Sequence, residues 1–323
     1  MKQTRRSFLL GAGALLFTPY AARATSSTAV IEGPAFGASW RLVLPAGIDT
    51  FKLQHQLQAI ITSVDATMSP FRPNTEISAF NNSHHSNWTP LSKGPSRVLG
   101  AALEIARETD GMFDPTIGAL VGRFGFGPIT RPSQGNYTNI YLENNRCKKD
   151  YADMSLDLCG IAKGYALDEM VAVLDFAGVE NFLIELGGET FARGSHPTGR
   201  AWHVGIERPH SQPVAFQQLV TIDGHALATS GDSVNSYVVE GQRYSHIVNP
   251  RTTKPANDRL ASVSVLATTA MRADALATAL FAMGADAGPQ FADKTGISAL
   301  FLLRDGIDFT EITTGVFANQ FLT

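Results

Sequence analysis

From Asn139 to Leu303 the chain strings together short β-type runs, several joined by brief turns, with only two helical stretches among them. The runs are Asn139–Leu142, Ser155–Leu158, Asn181–Leu186, Trp202–Ile206, Gln218–Ile222, Tyr244–Val248, Ser262–Leu266 and Ala299–Leu303; helical spacing covers about 161–176 and 272–284. This order fits neither a doubly wound parallel sheet nor a barrel, and it predicts an α+β domain with mixed β-sheets and packed helices. Upstream, Ser39–Leu44 reads as a strand ending at Pro45. Leu53, Leu57, Ile60, Ile61 and Val64 recur at helical spacing before Pro70. A further helix spans about Ser96–Glu108, with Gly111 just past its end. Residues 25–28 read as a short polar tail, and 81–95 and 122–136 read as loops. Nothing divides the chain, so 25–323 is expected to be one domain; at 44 % apolar and 17 % charged residues it can bury a sizeable core.

Residues 1–24 have a different character. They hold four basic residues (Lys2, Arg5, Arg6, Arg23), no acidic one, an apolar run from Phe8 to Phe17, and Ala22-Arg23-Ala24 as a small-residue cleavage signal. A ten-residue run spans roughly 15 Å as a helix, half a bilayer core, so no permanent membrane anchor is expected. The paired arginines and the glycines in the run predict a twin-arginine signal peptide and a periplasmic protein. Without this segment the chain keeps 22 basic against 29 acidic residues, a poor balance for binding nucleic acid. Cys147 and Cys159 are the only cysteines and allow at most one disulfide. There is no cysteine cage and no HExxH helix, which argues against zinc.

Four clusters bear chemistry. In Asp157-Leu158-Cys159-Gly160-Ile161-Ala162-Lys163-Gly164 a strand is expected to end in a small-residue turn that opens a helix. Free N–H groups there, with Lys163 one turn in, suit an anion. Asp274 and Thr278 stand four apart on a predicted helix, so a carboxylate and a hydroxyl can share one hard cation. Ala228-Thr229-Ser230-Gly231-Asp232 offers small residues for close approach to phosphate, and His246 follows as a candidate proton acceptor. Met68-Ser69-Pro70-Phe71 and Met112-Phe113-Asp114 place aromatic side chains in turns, where a flat heterocycle could rest. Each cluster taken singly is more often a packing device than a site.

Taken in order, FDPTIGALVGRFGFGP, DLCGIAKGYALDEM, IELGGETFARG, LATSGD, YSHIVNPRT and ADALATAL resemble the motifs of the ApbE family, the FAD:protein FMN transferases, from about Val30 to Phe317. The resemblance implies an ApbE-like fold with FAD in a central cleft and Mg2+ at its pyrophosphate. It implies transfer of FMN to a Thr or Ser hydroxyl of an acceptor flavoprotein through a phosphoester bond, with AMP leaving. By motif position, Gly160 (through its carbonyl), Asp274 and Thr278 would hold the metal. Phe36, Phe71, Met112, Phe113, Asp114, Asp157, Lys163 and the backbone near Val248 would bind FAD. His246 and Asp274 would be catalytic, with His246 either accepting the acceptor proton or orienting its hydroxyl. Together with the export signal, this suggests a membrane-bound redox protein with a periplasmic FMN-binding domain as acceptor. Two other readings use the same residues: an FAD pyrophosphatase yielding FMN and AMP, and a non-enzymatic flavin-binding protein. The chain departs from the usual pattern at Phe36 (often Met), Cys159 (usually Gly), Asn249 (often Asp), Thr253 (often Gly) and Ala277, where some relatives carry a second carboxylate.

Overall fold

The computed structural model describes residues 27–322 apart from 234 and 257–258, so the expected signal peptide, 1–24, lies outside the described residues. Strands β1 (Thr28–Ala35) and β2 (Ala38–Pro45) form a hairpin through Phe36 and Gly37, both at positive φ. Helices α1 (Thr50–Met68) and α2 (Glu76–Asn82), strand β3 (Thr89–Pro90), and helices α3 (Lys93–Glu108) and α4 (Gly118–Arg123) follow. Next come β4 (Ile140–Glu143), β5 (Arg146–Lys149), α5 (Cys159–Phe176), β6 (Phe182–Leu186) and β7 (Glu189–Arg193). The second half holds β8 (His203–Glu207), β9 (Phe216–Thr221), β10 (His225–Gly231), β11 (Ser236–Val239), β12 (Gln242–Ser245), β13 (Val248–Asn249) and β14 (Lys254–Pro255). It closes with β15 (Leu260–Ala267), α6 (Ala270–Thr295), β16 (Ser298–Asp305) and β17 (Asp308–Thr314).

Eight strands make one sheet in the order β1-β2-β6-β7-β10-β15-β16-β17, and every neighbouring pair is antiparallel. The α+β expectation therefore holds. The period-two alternation of strand side chains assigns the layers. On β16, Ala299, Phe301 and Leu303 enter the core built with the helices, whereas Leu300 and Leu302 join Trp202, Ile206, Val220 and Phe317 on the other face. Burial on both faces explains why Ala299–Leu303 is continuously apolar instead of alternating. Helices α5 and α6 pack together on the helical face. Gly164 allows this, since a Cβ there would lie 2.3 Å from the Ala270 carbonyl oxygen. The Asp168 carboxylate then caps the start of α6, accepting from the N–H groups of Ala270 (2.7 Å) and Met271 (3.0 Å).

Several expectations need correction. Ser155–Leu158 is extended but is not a strand. Its backbone bonds go to the Asn81 side chain, which bonds Leu156 N and O, and to Pro115 O, which accepts from Asp157 N. Tyr244–Val248 is not one strand, because β12 ends at Ser245 and β13 begins at Val248, leaving His246 in the break. Thr28, expected to end a tail, begins β1, and the loops expected at 81–95 and 122–136 contain β3, the first residues of α3 and the ends of α2 and α4. The two cysteines are unpaired, Cys147 buried and Cys159 exposed. Among the described residues no helix is long and apolar enough to cross a membrane.

Candidate active site

The sheet splits where the site lies. β7 pairs with β10 only along His225, Ala226 and Leu227, while β10 runs on to Gly231 paired with β15 alone. Beyond Leu227 that edge of β10 opens into a cleft of about 1540 Å³. All twelve residues expected at the site line this cleft: Phe36, Phe71, Met112, Phe113, Asp114, Asp157, Gly160, Lys163, His246, Val248, Asp274 and Thr278.

The start of α5 lies against α6 at the floor of the cleft. Gly160 fits closely there, and a Cβ on it would meet Thr278 Oγ1 and Phe113 Cε2 at 3.3 Å. Thr278 Oγ1 also lies 3.3 Å from Ser230 Oγ on β10. One turn earlier on α6, buried Asp274 accepts from Gly164 N at 3.0 Å through Oδ2. The Gly160 backbone, the Asp274 carboxylate and the Thr278 hydroxyl thus converge from two packed helices. Their donors are all hard oxygens, the set that suits magnesium better than a soft metal. Among the described residues no cluster of three His, Cys, Asp or Glu side chains could hold a metal.

The charges favour a cation. Lys163 Nζ is ion-paired with Glu189 Oε1, and Glu189 is fully buried, with its Oε2 lacking a partner among the described residues. Burial, reinforced by nearby Asp274, pushes the Glu189 carboxyl up to about 8 against the pull of Lys163. Burial likewise raises Asp274, opposed by Lys163 and the Gly164 N–H. Burial disfavours the Lys163 ammonium, but Asp274 and Glu189 outweigh it and hold its pKa above the ordinary value. Two buried carboxyls facing one ammonium favour holding a proton, which a divalent ion would displace. Lys163, expected to reach an anion directly, is therefore shared with an acid that sequence reasoning did not single out. Its only signal was the glutamate directly after Gly187-Gly188 in IELGGET.

The other expected residues divide by what they can offer. Phe36 (37 % exposed) and Phe71 (66 % exposed) present open rings at the cleft, a costly exposure that a flat ligand would cover. Met112, Phe113 and Val248 are buried, Val248 in the pairing of β13 with β14. Asp114 serves its own turn: Oδ1 accepts from Thr116 N (2.8 Å) and Oγ1 (2.7 Å), and Oδ2 from Tyr137 N (3.2 Å). Burial raises its pKa despite these bonds. Asp157 accepts from Cys159 N at 2.9 Å, bracing the turn into α5, whose N-cap residue Leu158 supplies no side-chain cap. Thr229 and Ser230, read as a phosphate-cradling stretch, lie in β10, where Thr229 Oγ1 bonds Ser264 Oγ at 2.8 Å and Ser230 reaches Thr278.

His246 is half-buried at the break between β12 and β13. Its Nδ1 lies 3.1 Å from Asn235 O, and its ring stands edge-on to Phe126 at 6.2 Å. A carbonyl only accepts, so Nδ1 carries the proton and Nε2 is the basic nitrogen. Burial lowers the His246 pKa, assisted by Lys163 and opposed by the Asn235 carbonyl, Asp232 and Asp157.

The departures from the common pattern fit their places. Thr253 sits at φ 56°, the left-handed conformation that glycine adopts more easily. Asn249 Oδ1 accepts from Arg251 N and Thr252 N, as an aspartate could, while its Nδ2 donates to Ala282 O at 2.9 Å, which an aspartate cannot do.

A family model described as the ApbE family matches residues 36–301. The chain belongs to the ApbE family. It is 32 % identical over 303 residues to the FAD:protein FMN transferase of Vibrio cholerae, covering 89 % of this chain and 91 % of that one. It is 30 % identical to the protein of the same name from Escherichia coli K12, covering 90 % and 88 %. Among solved structures, the flavin transferase ApbE from Vibrio cholerae superposes with a TM-score of 0.81 at 30 % identity, covering 91 % of this chain and 99 % of that one. The apo flavinyl transferase ApbE of Pseudomonas stutzeri gives 0.82 at 30 % identity, covering 91 % and 96 %. The family assignment and the α+β fold read from the motifs both hold.

Proposed function

We propose that the chain is an FAD:protein FMN transferase that uses magnesium to move FMN from FAD to a Thr or Ser hydroxyl of an acceptor protein, releasing AMP. The carrying observation is the convergence of Gly160, Asp274 and Thr278 in a cleft that also holds His246. Family membership and relatives named for this activity support it.

The acceptor oxygen attacks the FMN phosphorus, the bond from that phosphorus to the bridging oxygen breaks, and AMP leaves with the bridging oxygen. Such displacements ask for positioning and charge neutralisation more than covalent participation by the enzyme. Magnesium held by Asp274, Thr278 and the Gly160 carbonyl would supply that neutralisation. The protein's own groups do the rest. Phe36 and Phe71 cover the flat rings of FAD, while Lys163 and Glu189 brace Asp274. The bare Nε2 of His246 takes the hydroxyl proton or orients that hydroxyl, and proton transfer of this kind is worth about 10²–10⁴ in rate. The export signal expected at 1–24 supports a periplasmic enzyme delivered by the twin-arginine route, with a membrane-bound redox protein as acceptor.

The test incubates residues 25–323 with FAD, magnesium and a threonine-bearing acceptor domain, following AMP release and intact acceptor mass with and without chelator. Chelator-sensitive AMP release with FMN added to the acceptor is expected. Chelator-sensitive AMP release at the same rate without any acceptor would replace transfer with hydrolysis. Bound FAD with no AMP under any condition would leave a flavin-binding protein.

A further inference from the structure

The LATSGD stretch contributes a residue that none of the roles above uses. Asp232 follows the end of β10 and is 1 % exposed. Its Oδ1 accepts from Arg304 Nη2 on β16 at 2.5 Å and lies 3.3 Å from His210 Nε2. Its Oδ2 faces Arg243 Nε on β12 at 3.7 Å. The backbone is tied at the same place: Asp232 N donates to Ala261 O at 3.2 Å, and Ser236 Oγ donates to Asp232 O at 2.6 Å. Ser236 Oγ in turn accepts from Arg243 Nη1 at 3.0 Å. Asp232 thus ties both strands of the β11–β12 hairpin to the main sheet, β12 through its carboxylate at Arg243 and β11 through its backbone carbonyl at Ser236.

Asn235 lies directly before Ser236. Its carbonyl accepts from His246 twice, from the backbone N–H and from ring Nδ1, both at 3.1 Å. The hairpin's aromatic residues continue the support. Tyr237 stacks on Tyr244 at 5.3 Å and on Phe126 at 5.2 Å, and Phe126 meets the His246 ring edge-on. Ring orientation and tautomer are therefore decided by a carbonyl whose own place is decided by Asp232.

We propose that Asp232 is a positioning residue for the transfer reaction: with Arg304, Arg243 and Ser236 it fixes the Asn235 carbonyl, which holds His246 with Nδ1 protonated and Nε2 bare. The inference rests on the role given to His246 in the proposed function. Asp232 touches no reacting atom. Removing its charge leaves two guanidinium groups facing each other in a half-buried site, which pushes the base of the hairpin apart and frees the imidazole.

The charged groups acting on His246 are Lys163, which disfavours the imidazolium, and Asp232 and Asp157, which favour it, as does the Asn235 carbonyl. Asp232→Asn removes one favourable charge and loosens the favourable hydrogen bond. The acid limb of the rate profile should therefore move to lower pH while the plateau falls. A merely structural lesion lowers the plateau and leaves the limb in place.

The experiment measures FAD affinity, FMN transfer against pH, and the ring ¹⁵N shifts of His246 in wild type, Asp232→Asn and Ser236→Ala. Wild type should show a bare Nε2. Asp232→Asn should bind FAD normally, mix the two tautomers and lose about tenfold or more in kcat, a fraction of what a general base supplies. Ser236→Ala removes one hydroxyl from a half-buried site, keeps the protein folded should Asp232→Asn not fold, and should shift the same signals less. An unchanged tautomer in whichever variants fold overturns the proposal, and so does an unmoved acid limb where transfer is measurable. If wild type itself transfers no FMN, the proposed function fails on its own, and the ¹⁵N shifts still decide whether Asp232 positions His246.

Discussion

Gly164→Ala tests how the two helices that carry the site depend on their closest approach. A Cβ at residue 164 would sit 2.3 Å from Ala270 O, 2.5 Å from Ala270 C and 2.6 Å from Met271 Cα, short of ordinary contact at 3.4 Å by about 1 Å. These are backbone atoms, so no side chain can swing away, and α5 and α6 must part. Overpacking of this kind costs about 1–3 kcal/mol. Replacing glycine by alanine inside a helix returns up to about 1 kcal/mol. The net loss should be about 1–2 kcal/mol, or roughly 2–3 °C in Tm for a domain of this size. Activity should suffer more than stability. Gly164 N holds Asp274 at 3.0 Å and Lys163 is its neighbour, so parting the helices moves the carboxylate away from Gly160. A misplacement of about 1 Å in a reacting constellation can cost about 10²-fold. The control is Gly100→Ala on α3, where the added Cβ meets only Leu142 Cδ2 at 3.4 Å and the helix-propensity gain should appear undiminished. Denaturant melts of both variants, with FMN transfer measured well below their transitions, give the comparison. Equal stability changes in the two variants, or wild-type transfer in Gly164→Ala, would refute the reasoning.

Further outcomes follow from the same geometry. Asp274→Asn and Thr278→Val should each remove chelator-sensitive turnover while leaving the circular dichroism spectrum intact, and full activity in either would dismiss the proposed metal position. Transfer should decline on the acid side with an apparent pKa below 6.5, because burial lowers His246 and protonation removes its acceptor nitrogen; a pH–rate profile of kcat/KM with its acid limb above 6.5 contradicts this. Lys149 is fully buried and donates to the carbonyls of Phe80 (3.0 Å), Ser83 (3.1 Å) and Met154 (2.9 Å). Lys149→Met strands the Ser83 and Met154 carbonyls, while Phe80 O keeps Ser83 N (3.2 Å) and Oγ (2.8 Å), and should cost about 3–5 kcal/mol in a urea melt; a loss below about 0.5 kcal/mol would mean that the two find other partners.

Particular residues show what was legible in the sequence. Ala299–Leu303 was readable as a strand because burial on both faces leaves no polar position to break the run, and Ser262–Leu266 because Ser262 and Ser264 alternate with Val263 and Val265. The helical limit at 284 was readable too: Gly284 takes φ 86° and interrupts α6, which resumes and continues to Thr295. Ser155–Leu158 misled because its hydrogen bonds come from the Asn81 side chain, seventy-five residues away from Leu156, and no periodicity reports that. β1 carries Gly33 and Pro34, poor strand residues. Gly33 is needed because a Cβ there would lie 2.5 Å from Gln58 Oε1 and 2.7 Å from Trp40 Nε1. The liganding residues were legible through ordered motifs. Glu189 and Asp232 stood in those same motifs, but their roles come from Lys163 on α5 and from Arg304 on β16, contacts that exist only once the sheet has formed.

The location of the chemistry follows from one topological fact. An antiparallel sheet with helices on one face and a β-ribbon on the other is closed on both sides, leaving little room for a substrate. This sheet makes room by letting β7 begin at Glu189 while β10 runs on to Gly231, so the two strands separate beyond Leu227. Each boundary of the gap is then used. The acid that begins β7 pairs with Lys163, and Ser230 near the end of β10 reaches Thr278. The aspartate just beyond β10 anchors the hairpin that orients His246. Strand ends carry backbone groups that no longer pair with a neighbour, and those positions can bind or orient without breaking a ladder. Lengthening β7 by two residues at its start, to pair beyond Ala228, should therefore close the cleft and abolish FAD binding while raising stability. Retained FAD affinity in such an insertion variant would place the binding surface somewhere other than this gap.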